Sequence, residues 1–200
     1  MLTDMDERLI IGITMGDPAS IGPEITVKAL ADKGIYDKCR PLVIGDANVM
    51  EAAVKIVGKE DIKIHPVHSA EEALFEAGTI AVYDMALVDM DKLERGKVSV
   101  MAGEAAFRYV EKVIQMALAG EVDGTVTNAF NKEAINMAGH HYSGHTEVYA
   151  DMTGTKKYTM MLAHENIRVV HVSTHVSLRE ACDRVKKERV LEVIRIAYQA

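Results

Sequence analysis

Lys132, His145, Thr146 and His175 are the residues whose types and surroundings best suit chemistry. Lys132 ends the string Thr127-Asn128-Ala129-Phe130-Asn131-Lys132, which follows an apolar run, Gly124–Thr127, that reads as a strand. A lysine between a strand's carboxyl end and a short helix, read over Glu133–Ala138, is placed to meet a phosphate or carboxylate. The plainer reading is a solvated lysine at a helix start. His145 and Thr146 lie in Ser143-Gly144-His145-Thr146-Glu147, and Val148 and Met152 beyond them mark a helix that begins here. Its first N–H groups and the Thr146 hydroxyl can face an anion. His145 can donate a hydrogen bond and, when cationic, adds charge. Thr146 can equally serve as the helix N-cap, which needs no ligand. His175 follows the apolar run Ile167–Val172. A histidine at a strand end suits a metal ligand in a cleft, although one imidazole does not make a site. Six of the eight histidines fall between His140 and His175. Closeness in sequence is not closeness in space, and His140 and His141, in a loop, receive no role.

The elements that must position these groups alternate in type. Leu9–Ile13 reads as a buried strand leading through Gly16-Asp17-Pro18 into a helix, with Pro23 at its first position and Glu24 at the positive end of its dipole. Such a strand-to-helix loop sits where open α/β sheets place their ligand clefts. Pro41–Gly45, Ile62–Val67, Thr79–Tyr83 and Gly124–Thr127 read as further strands, and Ala47–Val57 as a helix. Ser99–Ala119 reads as a long amphipathic helix stopped by Gly120. Tyr158–Ala163 and Ile167–Val172 read as two strands joined by a turn at His164-Glu165-Asn166, and Ser177–Val185 and Glu188–Ala200 as helices. The fold class is α/β, a mostly parallel sheet flanked by helices. All four prolines fall at or before Pro66, and no internal domain boundary is drawn.

The chain has 200 residues, 48% apolar and 26% charged, with a net charge of −7 and no basic block. Nucleic acid is not an expected partner, since a phosphate backbone needs a basic face. The apolar stretches are too short and interrupted to span a bilayer. Cys39 and Cys182 show neither metal spacing nor a disulfide framework, and no signal peptide is visible, so a cytoplasmic location is expected. Neither a P-loop nor a Gly-x-Gly-x-x-Gly fingerprint is present.

Thr14-Met15-Gly16-Asp17-Pro18-Ala19-Ser20-Ile21-Gly22-Pro23-Glu24 closely resembles the N-terminal signature of the 4-hydroxythreonine-4-phosphate dehydrogenase family. It departs once, with Ser20 where glycine is usual; a positive φ there would add strain. Thr127 and Lys132 match a second family segment, in which Asn128 and Ala129 depart. Gly144-His145-Thr146-Glu147 is a third match, and Ser173-Thr174-His175-Val176-Ser177-Leu178-Arg179 a fourth. The resemblance implies the isocitrate/isopropylmalate dehydrogenase-like fold, a homodimer and NAD or NADP as cofactor. It also implies one divalent metal ion (Zn, Mg, Co or Mn) and oxidation with decarboxylation of a 4-phosphorylated hydroxy acid. His145, Thr146 and Lys132 would hold the phosphorylated small-molecule substrate and His175 the metal, its ring in a cleft at the strand ends with the second nitrogen hydrogen-bonded. The family's other two metal histidines belong to motifs absent from these 200 residues, and the final helical pattern has no stop signal. The chain is therefore expected to be the N-terminal part of such an enzyme. One branch of the family acts on 4-hydroxythreonine 4-phosphate and a sister branch on threonate or erythronate 4-phosphate; Asn131-Lys132-Glu133 leans to the second. A non-catalytic small-molecule-binding domain and a phosphate-transferring acyltransferase stay open.

Overall fold

The computed structural model describes residues 7–199. The chain divides after His145 into two compact units, the second starting at Thr146. In the first, β1 (Ile10–Thr14), β2 (Arg40–Gly45), β3 (Lys63–Val67), β4 (Thr79–Asp84) and β5 (Gly124–Thr127) form a wholly parallel sheet in the order β3-β4-β2-β1-β5. Leu42, Val43 and Ile44 of β2 are buried on both faces, as a continuous apolar run in a parallel sheet requires. Register places Thr14 opposite Ile44 on one side and Thr127 on the other, so three carboxyl ends meet at one rim.

The helices of this unit are α1 (Gly22–Leu30), the short α2 (Lys33–Tyr36), α3 (Ala47–Val57), α4 (Val100–Ala119) and α5 (Lys132–Met137). α4 packs along β1, β2 and β5, while α3 packs on β3 and β4 and against α1. Ser99 caps α4 by accepting from the Ala102 N–H at 3.2 Å, and Gly120 ends it in the left-handed region at φ 75°. Pro23 occupies the second helical position of α1 rather than the first, because Gly22 is already helical. α2 has no apolar period to announce it; it forms because Asp32 accepts from the Gly34 N–H at 2.9 Å. Ser20 has no positive φ, so its replacement of the usual glycine carries no strain.

Between β4 and α4 the chain runs without long regular structure, yet it is tethered. Val88 N–H donates to the buried Asp46 carboxylate at 2.5 Å, and Ala86 N–H to Asp84 at 3.3 Å. Further on, Gly96 N–H donates to the Ala19 carbonyl at 2.7 Å, and Arg95 lies 3.7 Å from Glu24.

The second unit contains α6, which begins at His145 (His145–Met152), then β6 (Met161–His164), β7 (Ile167–Val170), α7 (Leu178–Arg184) and α8 (Lys187–Gln199). β6 and β7 make an antiparallel hairpin of their own, turned at Glu165 with φ 47°. The ladder is shorter than the apolar runs suggest. Outside it, Thr159 Oγ1 donates to the His171 carbonyl at 2.6 Å and His171 N–H to the Met160 carbonyl at 3.1 Å, so the pairing continues irregularly. Leu162, Ile167 and Val169 of the hairpin are exposed.

α4 and α5 touch most closely at Gly103, where a Cβ would stand 2.1 Å from the Ala134 carbonyl oxygen. Backbone on backbone cannot yield as a side-chain tip can. Gly103→Ala should lower stability by about 2 kcal/mol despite alanine's better helix propensity. Urea unfolding measures it; a gain in stability would mean the helices do not meet there.

Candidate functional site

Two strand-end loops build the rim of the first unit, and Asn128 joins them. Its N–H donates to Thr14 Oγ1 at 3.1 Å, and its side-chain amide to the Thr14 carbonyl at 3.1 Å and to Thr26 Oγ1 at 2.6 Å. Thr26 in turn donates to the Gly22 carbonyl at 3.0 Å, so β1, α1 and the segment after β5 share one network. Asp17 N–H donates to the Ala129 carbonyl at 3.0 Å. That approach needs Gly16 at φ 79°, where a Cβ would lie 2.6 Å from the Ala129 oxygen. Asp17 is itself buried and accepts from the Ala19 N–H at 2.8 Å; burial pushes its carboxyl up, and the backbone amides of Ala19 and Asn131 oppose this.

Lys132 is the first residue of α5, one earlier than expected, and Asn131 is its cap, accepting from the Ala134 N–H at 3.1 Å. The Lys132 side chain is exposed and makes no ion pair among the described residues. His145 lies half-buried with its ring 3.9 Å from that of Phe130, centroid to centroid. Its Nε2 is buried without a hydrogen-bond partner among the described residues. Burial holds the imidazole below its ordinary range, with the Asn128 backbone pulling the other way. His145 is therefore a neutral hydrogen-bonding group at pH 7 rather than a cation. His140 is a structural residue. Its Nε2 is 2.6 Å from Glu104 and its ring stacks on Phe107 at 3.6 Å, which fixes the loop before His145 to α4. Burial pushes Glu104 up, but hydrogen bonds from His140 and Arg108 outweigh it and hold the carboxyl low.

In the second unit Thr146 sits inside the first turn of α6, so it is not the N-cap. It lines a polar pocket of about 40 Å³ with Glu147, His171, Ser173, Thr174 and Arg189. Thus part of the Gly-His-Thr-Glu motif meets part of the Ser-Thr-His motif. His175 does not line this pocket. It is exposed, adopts φ 57°, and makes no hydrogen bond among the described residues, unlike the cleft-facing, hydrogen-bonded ring expected. The bend after β7 turns it outward. Among the described residues no three His, Cys, Asp or Glu side chains converge to hold a metal ion. His175 fits one ligand of such a site and no more.

Asn128, which ties the strand-end loops together, and His171, which lines the pocket, were not among the site residues expected from sequence. The sequence places Asn128 at the strand's carboxyl end beside Lys132 and as a departure from the family segment, and sets His171 four residues before His175 on an extended run, where the two need not converge.

The family model for "Pyridoxal phosphate biosynthetic protein PdxA" matches residues 37–200. The chain belongs to the PdxA family. A Symbiobacterium thermophilum relative named "Putative D-threonate 4-phosphate dehydrogenase" is 44% identical over 191 residues, 96% of this chain and 57% of the relative. PdxA-family structures agree in fold. A 4-hydroxythreonine-4-phosphate dehydrogenase from Burkholderia phymatum matches with TM-score 0.86 and 42% identity, over 94% of this chain and 56% of that one. One from Klebsiella pneumoniae matches with TM-score 0.90 and 36% identity, over 96% and 58%. The chain thus spans little more than half the length of the PdxA relatives it matches. No helix among its described residues is long and apolar enough to cross a membrane.

Two outcomes follow from this geometry. The folded pKa of His145 lies below its unfolded value near 6.5, so its contribution to stability is present above that pH and lost as pH falls toward the folded pKa. Denaturant stability should drop between pH 7 and pH 5, and less steeply in His145→Gln; equal slopes would contradict the buried ring. His175→Gly removes a left-handed side-chain residue and should raise stability by about 1 kcal/mol. A lower melting temperature would show that the imidazole holds the fold together.

Proposed function

We propose that the whole protein oxidises a 4-phosphorylated four-carbon hydroxy acid with NAD or NADP and releases carbon dioxide. The observation that carries this reading is the 44% identity over 96% of the chain to a relative named "Putative D-threonate 4-phosphate dehydrogenase". D-Threonate 4-phosphate is accordingly the first substrate to test. The solved relatives described as 4-hydroxythreonine-4-phosphate dehydrogenases favour 4-hydroxythreonine 4-phosphate as the second reading.

In this reading Lys132 meets an anionic end of the substrate with an ammonium that has no ion-pair partner among the described residues. Thr146 donates its hydroxyl, and unpaired N–H groups of the first turn of α6 add donors. His145, kept neutral by burial, hydrogen-bonds without adding charge. His175 is one metal ligand, and its left-handed backbone supports the role, since such strain clusters at functional positions. A nicotinamide cofactor supplies a hydride acceptor and a divalent ion polarises the reacting hydroxyl oxygen when bound. The alcohol C–H leaves as hydride, its O–H proton goes to solvent, and the resulting 3-keto acid loses its carboxylate as CO₂, the C–C bond pair passing into an enolate that takes up a proton. A cytoplasmic homodimer is part of the same proposal.

Thr146→Val keeps shape and removes the hydroxyl. In the whole protein it should raise KM for the phosphorylated substrate by about tenfold to a hundredfold, the usual loss on depriving a charged acceptor of a donor. Its melting temperature should stay close to the parent's, because Thr146 is not the helix cap. A fall in melting temperature with KM unchanged would remove Thr146 from the substrate site. Formation of NAD(P)H from neither candidate substrate by the parent would overturn the reaction.

A further inference from the structure

His171 is held in an uncommon setting. Its backbone is tied on both sides, the N–H to the Met160 carbonyl at 3.1 Å and the carbonyl to Thr159 Oγ1 at 2.6 Å. Arg189 braces the same two chains, donating to the Val172 carbonyl at 3.2 Å and to the Tyr158 carbonyl at 3.0 Å while pairing with Glu192 at 2.6 Å. The imidazole therefore has little freedom to relocate. Its Nδ1 is buried with no hydrogen-bond partner among the described residues. A buried N–H without an acceptor is rarer and costlier than an under-used acceptor, so the proton belongs on Nε2. That leaves Nε2–H as the donor, and His171 lines the pocket of about 40 Å³ beside Thr146, Ser173 and Thr174. That space admits a hydroxyl-sized group.

We infer that His171 is a specificity-determining substrate contact, whose Nε2–H donates to a substrate hydroxyl in this pocket. The inference rests on the proposed function, because it takes Thr146 as a substrate residue. Its chemistry separates the two candidate substrates. They differ at carbon 2, which carries a hydroxyl in threonate 4-phosphate and an ammonium in 4-hydroxythreonine 4-phosphate. A hydroxyl oxygen accepts from an N–H, whereas an ammonium has no lone pair and meets the same N–H as donor against donor. A site that offers a buried donor rejects the analogue unable to use it. His171 thus selects the hydroxy acid over the amino acid.

The test compares the whole protein with His171→Leu, similar in size but without the N–H, and His171→Gln, which restores a donor. Calorimetric titration with D-threonate 4-phosphate, without cofactor, reads binding apart from turnover. The leucine variant should bind about tenfold or more weakly. Glutamine should recover part of the loss, and affinity for 4-hydroxythreonine 4-phosphate should not fall. A merely structural role would weaken both ligands alike. Equal loss for both, no loss for either, or no binding by the parent overturns the inference. If the parent binds D-threonate 4-phosphate selectively and loses that selectivity in His171→Leu, yet no NAD(P)H forms, the inference stands and the proposed reaction falls.

Discussion

The structure of the rim depends on one side-chain amide. Asn128 donates twice from its amide group, to a β1 carbonyl and an α1 hydroxyl, and once from its backbone, to Thr14. No apolar residue could replace it, because the Thr14 carbonyl and Thr26 hydroxyl would be left without a donor in a buried place. The network fixes where the segment after β5 can run, and so where Asn131 can cap α5 and where Lys132 begins it. Gly16 is its counterpart in backbone form: the loop can approach Ala129 only without a side chain. One hydrogen-bonded group and one missing Cβ together set the spacing of two loops that the sequence separates by more than a hundred residues.

Much of the first unit was legible in sequence because its signals are physical and local. The unbroken run Pro41–Gly45 became β2, a strand buried on both faces, and the stripe from Val100 to Leu118 became α4 with Ser99 and Gly120 at its ends. Mostly parallel pairing followed from alternation of type. The hairpin read as two strands and a turn, but its ladder is shorter, since exposed strands with little burial leave backbone pairing to decide their limits. Lys132, His145, Thr146 and His175 were visible as types in motifs. The conformation of His175 was not, because a left-handed φ at a non-glycine residue has no sequence signal. The unpartnered nitrogens of His145 and His171 were equally hidden: whether a polar atom finds a partner is a property of packing, and no pattern of residue types states it.

An acidic chain proposed to receive an anion has to make its positive potential locally. The residues proposed to receive it include one ammonium, at Lys132, while the rest are neutral donors: a hydroxyl, an uncharged imidazole and backbone N–H groups. Neutral donors discriminate by geometry and by the presence of a lone pair, whereas a charge attracts any anion. Recognition built in this proportion leans on shape and hydrogen-bond polarity more than on long-range attraction, and so loses little to salt screening.

The tethered segment between β4 and α4 carries a consequence for how such a chain can change over time. A stretch of this length outside helices and strands is ordinarily where insertions are absorbed without harm. Here the stretch is anchored near its start by Asp46 and Asp84 and near its end by the Ala19 carbonyl, which belongs to the β1–α1 loop. Added residues near the second anchor would pull on the loop that contains Gly16 and Asp17. Length variation should be confined to the few residues between the anchors, and the segment should drift in composition long before it drifts in length.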